Sequence, residues 1–220
     1  MERLVIIGGG FAGACIAEKL ESHFDVILID NKDYFEFTPS VLRTLVDPNH
    51  MATIQALHSR YLEKALFIRG CITDVQKHAV FIKDKEIPYD ILIIASGSYY
   101  HSPFKQNEVV KATRASVLTE TYERLNHAKS ILIIGGGIVG VELAAEIADH
   151  HDGDKITLAH AMDRLMERGS PKVSAYAKRF FEKKGVKMIF NEFVRENPGG
   201  GYTTDKGRDI NADLVFLCTG

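Results

Sequence analysis

The chain has 220 residues, 45% of them hydrophobic and 25% charged, with a formal net charge of −2. This is the composition of ordinary globular domains, one large or two of modest size, and with no basic run it carries no electrostatic footprint for nucleic acid. Cys15, Cys71 and Cys218 are odd in number, far apart and without a C-x-x-C, which argues against a disulfide framework or a zinc site and for a reducing compartment.

Leu4-Val5-Ile6-Ile7 is a fully apolar, β-branched run that predicts a buried parallel strand. Because it starts at residue 3 or 4, no leader peptide is expected, and Glu2 departs from the myristoylation pattern. No apolar run approaches the roughly 20 residues of a spanning helix, so the expectation is a cytoplasmic chain without a transmembrane segment. The strand feeds Gly8-Gly9-Gly10-Phe11-Ala12-Gly13, which fits G-x-G-x-x-G. An amphipathic segment, Ala14 to Phe24, and a second apolar run, Asp25 to Ile29, follow and end on Asp30. Strand, glycine turn, helix, strand and acid make up the dinucleotide-binding βαβ unit. In it Gly8 allows the tight turn, Gly10 lets backbone N–H groups approach a pyrophosphate at the helix N-terminus, and Gly13 lets the helix lie close to the strand. Asp30 is placed to accept hydrogen bonds from a ribose diol.

A polar-aromatic loop, Asn31 to Pro39, comes next, with Ser40 as a cap for a short helix from Val41 to Val46. Thr53 to Leu62 reads as helix. Leu66 to Ile68, Cys71 to Gln76 and Ala79 to Lys83 read as short antiparallel strands. Tyr89 to Ile94 is a buried strand closing on Ala95-Ser96-Gly97, and Ser102 to Lys111 is a linker. A helix from about Ser116 to Asn126 leads to a second copy of the opening. Here Ile131 to Ile134 runs into Gly135-Gly136-Gly137-Ile138-Val139-Gly140, a helix from Val141 to His150, and the strand Ile156 to His160. Pro171 to Lys184 predicts a helix with proline at its first turn. Val186 to Val194 is a strand region, Asn197 to Gly201 a turn, and Asp213 to Leu217 a strand closing on Cys218-Thr219-Gly220. Gly8 and Gly135 are 127 positions apart and Asp90 and Asp213 are 123 apart. Such self-similarity predicts a duplication, and two fingerprints say far more than one.

With its two glycine loops, the Lys32-Asp33-Tyr34-Phe35 loop, Val41-Leu42-Arg43, Gly137 to Glu142 and Leu214 to Gly220, the chain resembles the two-dinucleotide-binding-domain flavoproteins of the pyridine nucleotide-disulfide oxidoreductase superfamily. Within these it is most similar to the type II NADH:quinone oxidoreductases and the apoptosis-inducing-factor-2-like quinone reductases. The resemblance runs from Arg3 to Gly220 and implies an α/β fold with two Rossmann-like, three-layer FAD/NAD(P)-binding domains, residues 1–107 for FAD and 108–220 for NAD(P)H. Ala95-Ser96-Gly97 and Cys218-Thr219-Gly220 resemble the family's A-T-G motifs at the domain crossings, Ser96 standing in place of threonine. The sequence stops directly after the second of these. The resemblance therefore implies that the first fold is incomplete at its C-terminal end, without the strand, the aspartate on the ribityl chain or the C-terminal domain that cover the flavin.

The resemblance assigns roles residue by residue. Gly8, Gly9, Gly10, Phe11, Ala12 and Gly13 would cradle the FAD pyrophosphate, and Asp30 would hold the adenosine ribose. Lys32 either lies by the adenosine or is a solvated lysine. Arg43 matches an arginine that contacts FAD, its alternative being a surface arginine on a short helix. Ile72 resembles a position whose backbone meets the adenine, and Ala95, Ser96 and Gly97 are expected among the cofactor-binding residues. In the second fold Gly135, Gly137 and Gly140 would bind the nicotinamide dinucleotide. Glu142, on the first helical turn, would bring its carboxylate near nicotinamide and flavin, or serve only as a favourable charge at a helix N-terminus. His160 stands where an NAD-selective domain carries Asp or Glu, and Arg164 nearby could meet a 2′-phosphate, so NADH and NADPH both stay open. Its alternative is a partly exposed histidine with no ligand.

The implied function is an FAD-dependent oxidoreductase that takes a hydride from NAD(P)H and passes electrons to a quinone-like small-molecule acceptor. The cofactors carry that chemistry. A disulfide-reducing branch is disfavoured because Glu36 to Asp47 contains no cysteine, and Cys15 and Cys71 are expected to be small buried hydrophobes. The alternative is a catalytically incompetent nucleotide-binding relative acting as a binding or regulatory protein. An NAD-only dehydrogenase would not need the second fingerprint.

Overall fold

The computed structural model describes residues 1–98 and 110–219. It divides into two compact units, residues 1–41 with 49–117 and residues 42–48 with 118–220. The expected boundary at 107/108, the linker from Ser102 and the terminal Gly220 lie outside the described residues.

In the first unit β1 (Arg3–Ile7), α1 (Phe11–Leu20) and β2 (Asp25–Asp30) form the opening βαβ. After them come β3 (Tyr34–Glu36), α2 (Val41–Thr44), which from Leu42 on belongs to the second unit, and then α3 (Met51–Ile54), β4 (Gln55–Leu57) and α4 (His58–Tyr61). The unit continues through β5 (Leu66–Arg69), β6 (Asp74–Val75), β7 (Ala79–Ile82), β8 (Lys85–Pro88) and β9 (Ile91–Ile94). The main sheet is parallel with order β5-β2-β1-β9. Its alternate residues face two different layers, as the two-residue period of a strand requires. Leu4, Ile6, Val26 and Leu28 pack with Ala17 of α1, while Val5, Ile27 and Ile29 pack with Val80 and Ile87 of the antiparallel meander β6-β7-β8. A sheet covered on both faces needs continuous apolar strands, which explains the run Leu4 to Ile7. Among the described residues β9 has no strand on its far side, and Ile94 is 63% exposed.

The second unit repeats the plan. After α5 (Lys111–His127), whose residues up to Val117 belong to the first unit and whose buried Leu118 and Leu125 belong to the second, come β10 (Ile131–Ile134), α6 (Ile138–His150), β11 (Ile156–His160), α7 (Pro171–Lys184) and β12 (Lys187–Phe190). The short strands β13 (Val194–Glu196), β14 (Tyr202–Thr204) and β15 (Asp209–Ile210) form an antiparallel sheet before β16 (Leu214–Leu217). The parallel order β12-β11-β10-β16 matches that of the first unit strand for strand. Leu132, Ile134, Ala159 and Ile189 face Val194 and Ile210 of the antiparallel layer, and α6 buries Val141, Leu143, Ala144 and Ile147. In α7, Ser170 caps the first turn by accepting from Lys172 N, Pro171 opens the helix, and Gly185 closes it at φ +80°. The two-fold Rossmann-like, three-layer α/β architecture is thus observed directly.

Several local expectations are corrected. The segment Thr53 to Leu62 is not one helix: Gln55–Leu57 breaks it to pair antiparallel with β3, and Gln55 Nε2 donates to Glu36 Oε2 at 2.7 Å. Leu66 to Ile68 is not antiparallel but joins the parallel sheet beside β2. Ser40 does not cap α2; it ends a 3-10 turn and its hydroxyl meets His50 Nε2 at 2.7 Å. Helix α1 begins at Phe11 and α5 at Lys111, each earlier than expected. Cys15 and Cys71 are exposed and only Cys218 is buried, because α1 turns Gly13, Ala14 and Ala17 inward and Cys71 lies beyond the end of β5. Among the described residues no helix is long and apolar enough to cross a membrane, and no cluster of three His, Cys, Asp or Glu could hold a metal.

Candidate dinucleotide-binding sites

The glycines of the two loops carry four different constraints, and both units show all four. Gly8 and Gly135 have φ of +102° and +116°, the left-handed region that L side chains rarely adopt. A Cβ at Gly135 would meet Cys218 O at 2.6 Å, and one at Gly8 would meet the equivalent Ala95 O. Gly9 and Gly136 lie against side chains: a Cβ would come 2.6 Å from His58 Nε2 in the first and 2.8 Å from the His160 ring in the second. Gly13 and Gly140 lie on the carbonyl oxygens of Gly8 and Gly135, where a Cβ would fall far inside the 3.0 Å that real Cβ contacts respect. Gly10 and Gly137 are different, because a Cβ there would meet nothing within 4 Å. Both are helix N-cap residues with ordinary φ (−75° and −73°) and no side chain to cap the helix. The first-turn N–H groups therefore open onto space that the protein itself leaves empty, which is the geometry an anion needs.

In the first unit that space is a cavity of about 830 Å³, a size suited to a cofactor. Gly8, Gly9, Gly10, Phe11, Ala12, Asp30, Lys32, Ile72, Ala95, Ser96 and Gly97 all line it. Gly13 sits beneath the loop, and Arg43 belongs to the second unit, where its Nη1 lies 4.0 Å from Glu146 Oε1 with half of its side chain exposed. The carboxylate of Asp30 binds the loop backbone from both oxygens, Oδ2 accepting from Gly9 N and Oδ1 from Lys32 N at 2.8 Å. Lys32 Nζ stands 5.8 Å over the Tyr34 ring. Phe11 meets Phe35 and Phe37 edge to face at 5.3 Å each.

Sequence reasoning missed His58, Glu36 and Cys71. His58 is fully buried behind Gly9, with Nδ1 2.6 Å from Tyr61 Oη. Burial lowers its pKa, and the negative charges of Asp30 and Asp33 offset only part of that. Glu36 lines the cavity and pairs with the buried Arg114 at 3.0 Å. Cys71 lines it too, beside Gly70, whose N–H donates to Asp30 O at 2.8 Å. A glycine directly after an apolar strand was the one local signal of that edge.

In the second unit His160 ends β11 as expected, yet it is turned inward, its side chain 11% exposed. Gly136 N donates to His160 Nδ1 at 3.1 Å, which leaves Nε2 to face Glu167 Oε2 at 3.1 Å as the donor. The loop that carries Glu167 is strapped to the glycine turn by Met166 N donating to Gly136 O at 2.7 Å. Arg164 Nη2 donates to Glu167 O at 2.6 Å. Glu142 is exposed on the second turn of α6, not the first, so the helix-terminus reading loses its basis. Partial burial and then the like charge of Glu146 raise its pKa.

Two glycine loops, each between a parallel strand and a helix N-terminus, define a duplicated dinucleotide-binding α/β protein. The pattern of the pyridine nucleotide-disulphide oxidoreductase family matches residues 2–220, and the chain belongs to that family. It is 29% identical over 247 residues to apoptosis-inducing factor homolog B of Dictyostelium discoideum, covering all of this chain and 64% of that one. With ferroptosis suppressor protein 1 of Homo sapiens it shares 32% identity over 232 residues, covering 99% of this chain and 62% of that one. The chain thus spans about three fifths of the length of the curated relatives it matches. Its fold is that of the NADH-bound water-forming NADH oxidase from Lactobacillus brevis (TM-score 0.77, 21% identity, all of this chain and 54% of that one). NDH2 from Plasmodium falciparum in complex with NADH shares it as well (TM-score 0.79, 18% identity, all of this chain and 55% of that one).

Proposed function

We propose that this chain is the nucleotide-binding part of an FAD-dependent NAD(P)H oxidoreductase. FAD is held in the first unit, the nicotinamide dinucleotide in the second, and a quinone-like molecule takes the electrons. The observation that carries this reading is the pair Gly10 and Gly137: each is a helix N-cap with no side-chain cap, and each has open space where a Cβ would stand. A glycine whose side chain would clash with nothing in the protein is explained by a ligand's close approach. The cavity on Gly10 runs from the glycine turn past Asp30 to Ile72 and Ala95 to Gly97, so its residues fit an extended dinucleotide.

Bound FAD would supply hydride acceptance and onward electron transfer. The protein's residues do the rest. The first-turn amides of α1 and α6 receive the two pyrophosphates, Asp30 receives a ribose hydroxyl while fixing the loop, and Lys32 and Ile72 border the adenosine. Ser96 and Gly97 border the flavin side, and Glu142 presents a carboxylate with raised pKa on α6. All three cysteines are free thiols, which favours an acceptor other than a protein disulfide. The relative named NADH dehydrogenase-like protein YutJ of Bacillus subtilis is consistent with NADH as the electron source.

The test is a visible spectrum of desalted protein, before and after added FAD, followed by anaerobic NADH or NADPH and then a short-chain quinone. Flavin bands that bleach with nucleotide and return with quinone support the proposal. A colourless protein that takes up no FAD overturns it for this chain and favours a nucleotide-binding relative without catalysis.

A further inference from the structure

The two units anchor their glycine loops with the same pair of residue types in exchanged places. In the first unit a strand-end carboxylate, Asp30, accepts from Gly9 N, and the His58 imidazole packs behind the loop. In the second unit a strand-end imidazole, His160, accepts from Gly136 N, and the carboxylate of Glu167 lies on its far side. Both ring nitrogens of His160 are engaged, Nδ1 by the Gly136 amide and Nε2–H by Glu167 Oε2, so the residue at the expected diol-binding position has no acceptor left to offer. Glu167 does. Its side chain is 30% exposed, Oε2 faces His160 and Arg168 Nε, on a side chain 98% exposed, stands 4.0 Å from Oε1; a carboxylate with about four acceptor sites keeps capacity beyond these and its own amide.

The surrounding charges favour the same reading. Arg164 turns into the loop, with Nη2 on Glu167 O and Nη1 buried, and Arg168, next to Glu167 in sequence, keeps its side chain in solvent. Ala161 and Met162 carry no charge. The amide of Glu167 itself, and then the hydrogen bond from His160, hold the Glu167 carboxyl below its ordinary range against the opposing effect of burial, so it is ionised at neutral pH.

Resting on the reading that the second loop binds the nicotinamide dinucleotide, we propose that Glu167 is the carboxylate that receives the adenosine ribose diol. His160 is the positioning residue that holds it beside the glycine turn. The same charge repels a 2′-phosphate, so the site selects NADH over NADPH. The acid that the strand end lacks is thereby supplied seven residues later, by the loop strapped to Gly136.

The test uses ADP-ribose and 2′-phospho-ADP-ribose, which differ only in the 2′-phosphate and need neither flavin nor turnover. Calorimetric titration of the full chain is expected to show ADP-ribose bound at least about tenfold more tightly. In Glu167→Gln, an isosteric change, loss of one charge-assisted hydrogen bond weakens ADP-ribose by about tenfold. Relief of repulsion leaves the 2′-phosphorylated ligand unchanged or tighter, so the ratio collapses. Glu167→Arg inverts it. Unaltered melting temperatures in both variants separate this from a structural loss. Equal binding of the two ligands by wild type, or a ratio that Glu167→Gln does not move, overturns the assignment while the dinucleotide reading stands. If the folded wild-type chain binds neither ligand, both fall together.

Discussion

The contrast between Gly10 and Gly13 separates what the glycine loop does for folding from what it does for binding. At Gly13 a Cβ would fall far inside 3.0 Å of the Gly8 carbonyl oxygen, a backbone atom that cannot swing away, and 3.3 Å from the Ile6 side chain. Gly13→Ala must therefore lift α1 off β1 until that contact reaches the ordinary 3.4 Å or more. A gap of about 0.5–1 Å already forfeits a quarter to a half of each dispersion contact beneath the helix. Overpacking of this kind costs about 1–3 kcal/mol, a large part of the roughly 5–15 kcal/mol by which a domain is stable. At Gly10 the Cβ meets nothing, and φ −75° is open to any residue. The reduced entropy of the unfolded chain and the poorer N-cap propensity of alanine oppose each other, so Gly10→Ala should change stability by less than about 1 kcal/mol. Its methyl group stands where the pyrophosphate has to come, and FAD retention should fall by about tenfold or more, at least roughly 1.4 kcal/mol. The chain has no tryptophan, so urea unfolding is best followed by far-UV circular dichroism, and binding by flavin retained after desalting. A Gly10→Ala protein that keeps its FAD, or a Gly13→Ala protein as stable as wild type, would refute the reasoning.

Arg114 and Glu36 form an ion pair with side chains 1% and 6% exposed, so Arg114→Met strands a buried carboxylate and should cost about 3–5 kcal/mol, whereas the double change with Glu36→Met should recover most of it; a double variant as unstable as the single one in urea would sink this account. Native alkylation should label Cys15 and Cys71 but spare Cys218, whose thiol burial pushes up to about 12, and bound FAD should protect Cys71 alone; peptide mass mapping reads this, and Cys71 labelling indifferent to FAD counts against flavin in that cavity. Burial depresses the pKa of His58 below its ordinary 6.5, so the unfolded chain takes up the proton first. The neutral imidazole's contribution is whole above pH 6.5 and declines as pH falls through it toward the lower folded-state value. Replacing His58 with glutamine should flatten the acid-side fall of the urea midpoint, and an unchanged slope would place that titration elsewhere.

The fold was legible where a local pattern decides it. Leu4 to Ile7 and Ile131 to Ile134 are short, apolar and β-branched, each leads into glycine, and the repeat between them announced the duplication. What could not be read was decided by partners far along the chain. Gln55 to Leu57 has a helix-compatible pattern and becomes a strand because β3 offers an open edge some 20 residues earlier. Nothing local in Leu66 to Ile68 says whether its neighbour runs parallel. Strand β8, Lys85–Pro88, is polar but for Ile87 and ends in proline, which hides an edge strand. Of the site, the residues lining the cavity from the glycine turn and Asp30 were within reach, since motif spacing places them on one strand–helix corner. His58 was not, because it approaches Gly9 through tertiary packing alone.

The duplication also shows which parts of such a loop are free to change. A glycine amide that points at the end of the second strand needs an acceptor, and a buried amide left without one would cost about 1–3 kcal/mol. A carboxylate and an imidazole both meet that need, as Gly9 with Asp30 and Gly136 with His160 demonstrate. They differ in what they leave over. Asp30 presents a carboxylate at the rim of its cavity, while His160 presents no carboxylate and turns its other ring nitrogen to Glu167. The hydrogen bond that holds the loop is thus indifferent to the residue type, but the charge that faces a ligand is not. A strand-end rule that inspects one position reads the acceptor correctly and the charge wrongly. Loop anchoring and ligand charge sit on a single side chain in the first unit and on two in the second, so substitutions at residue 167 should alter recognition without loosening the turn, whereas substitutions at residue 160 should do both.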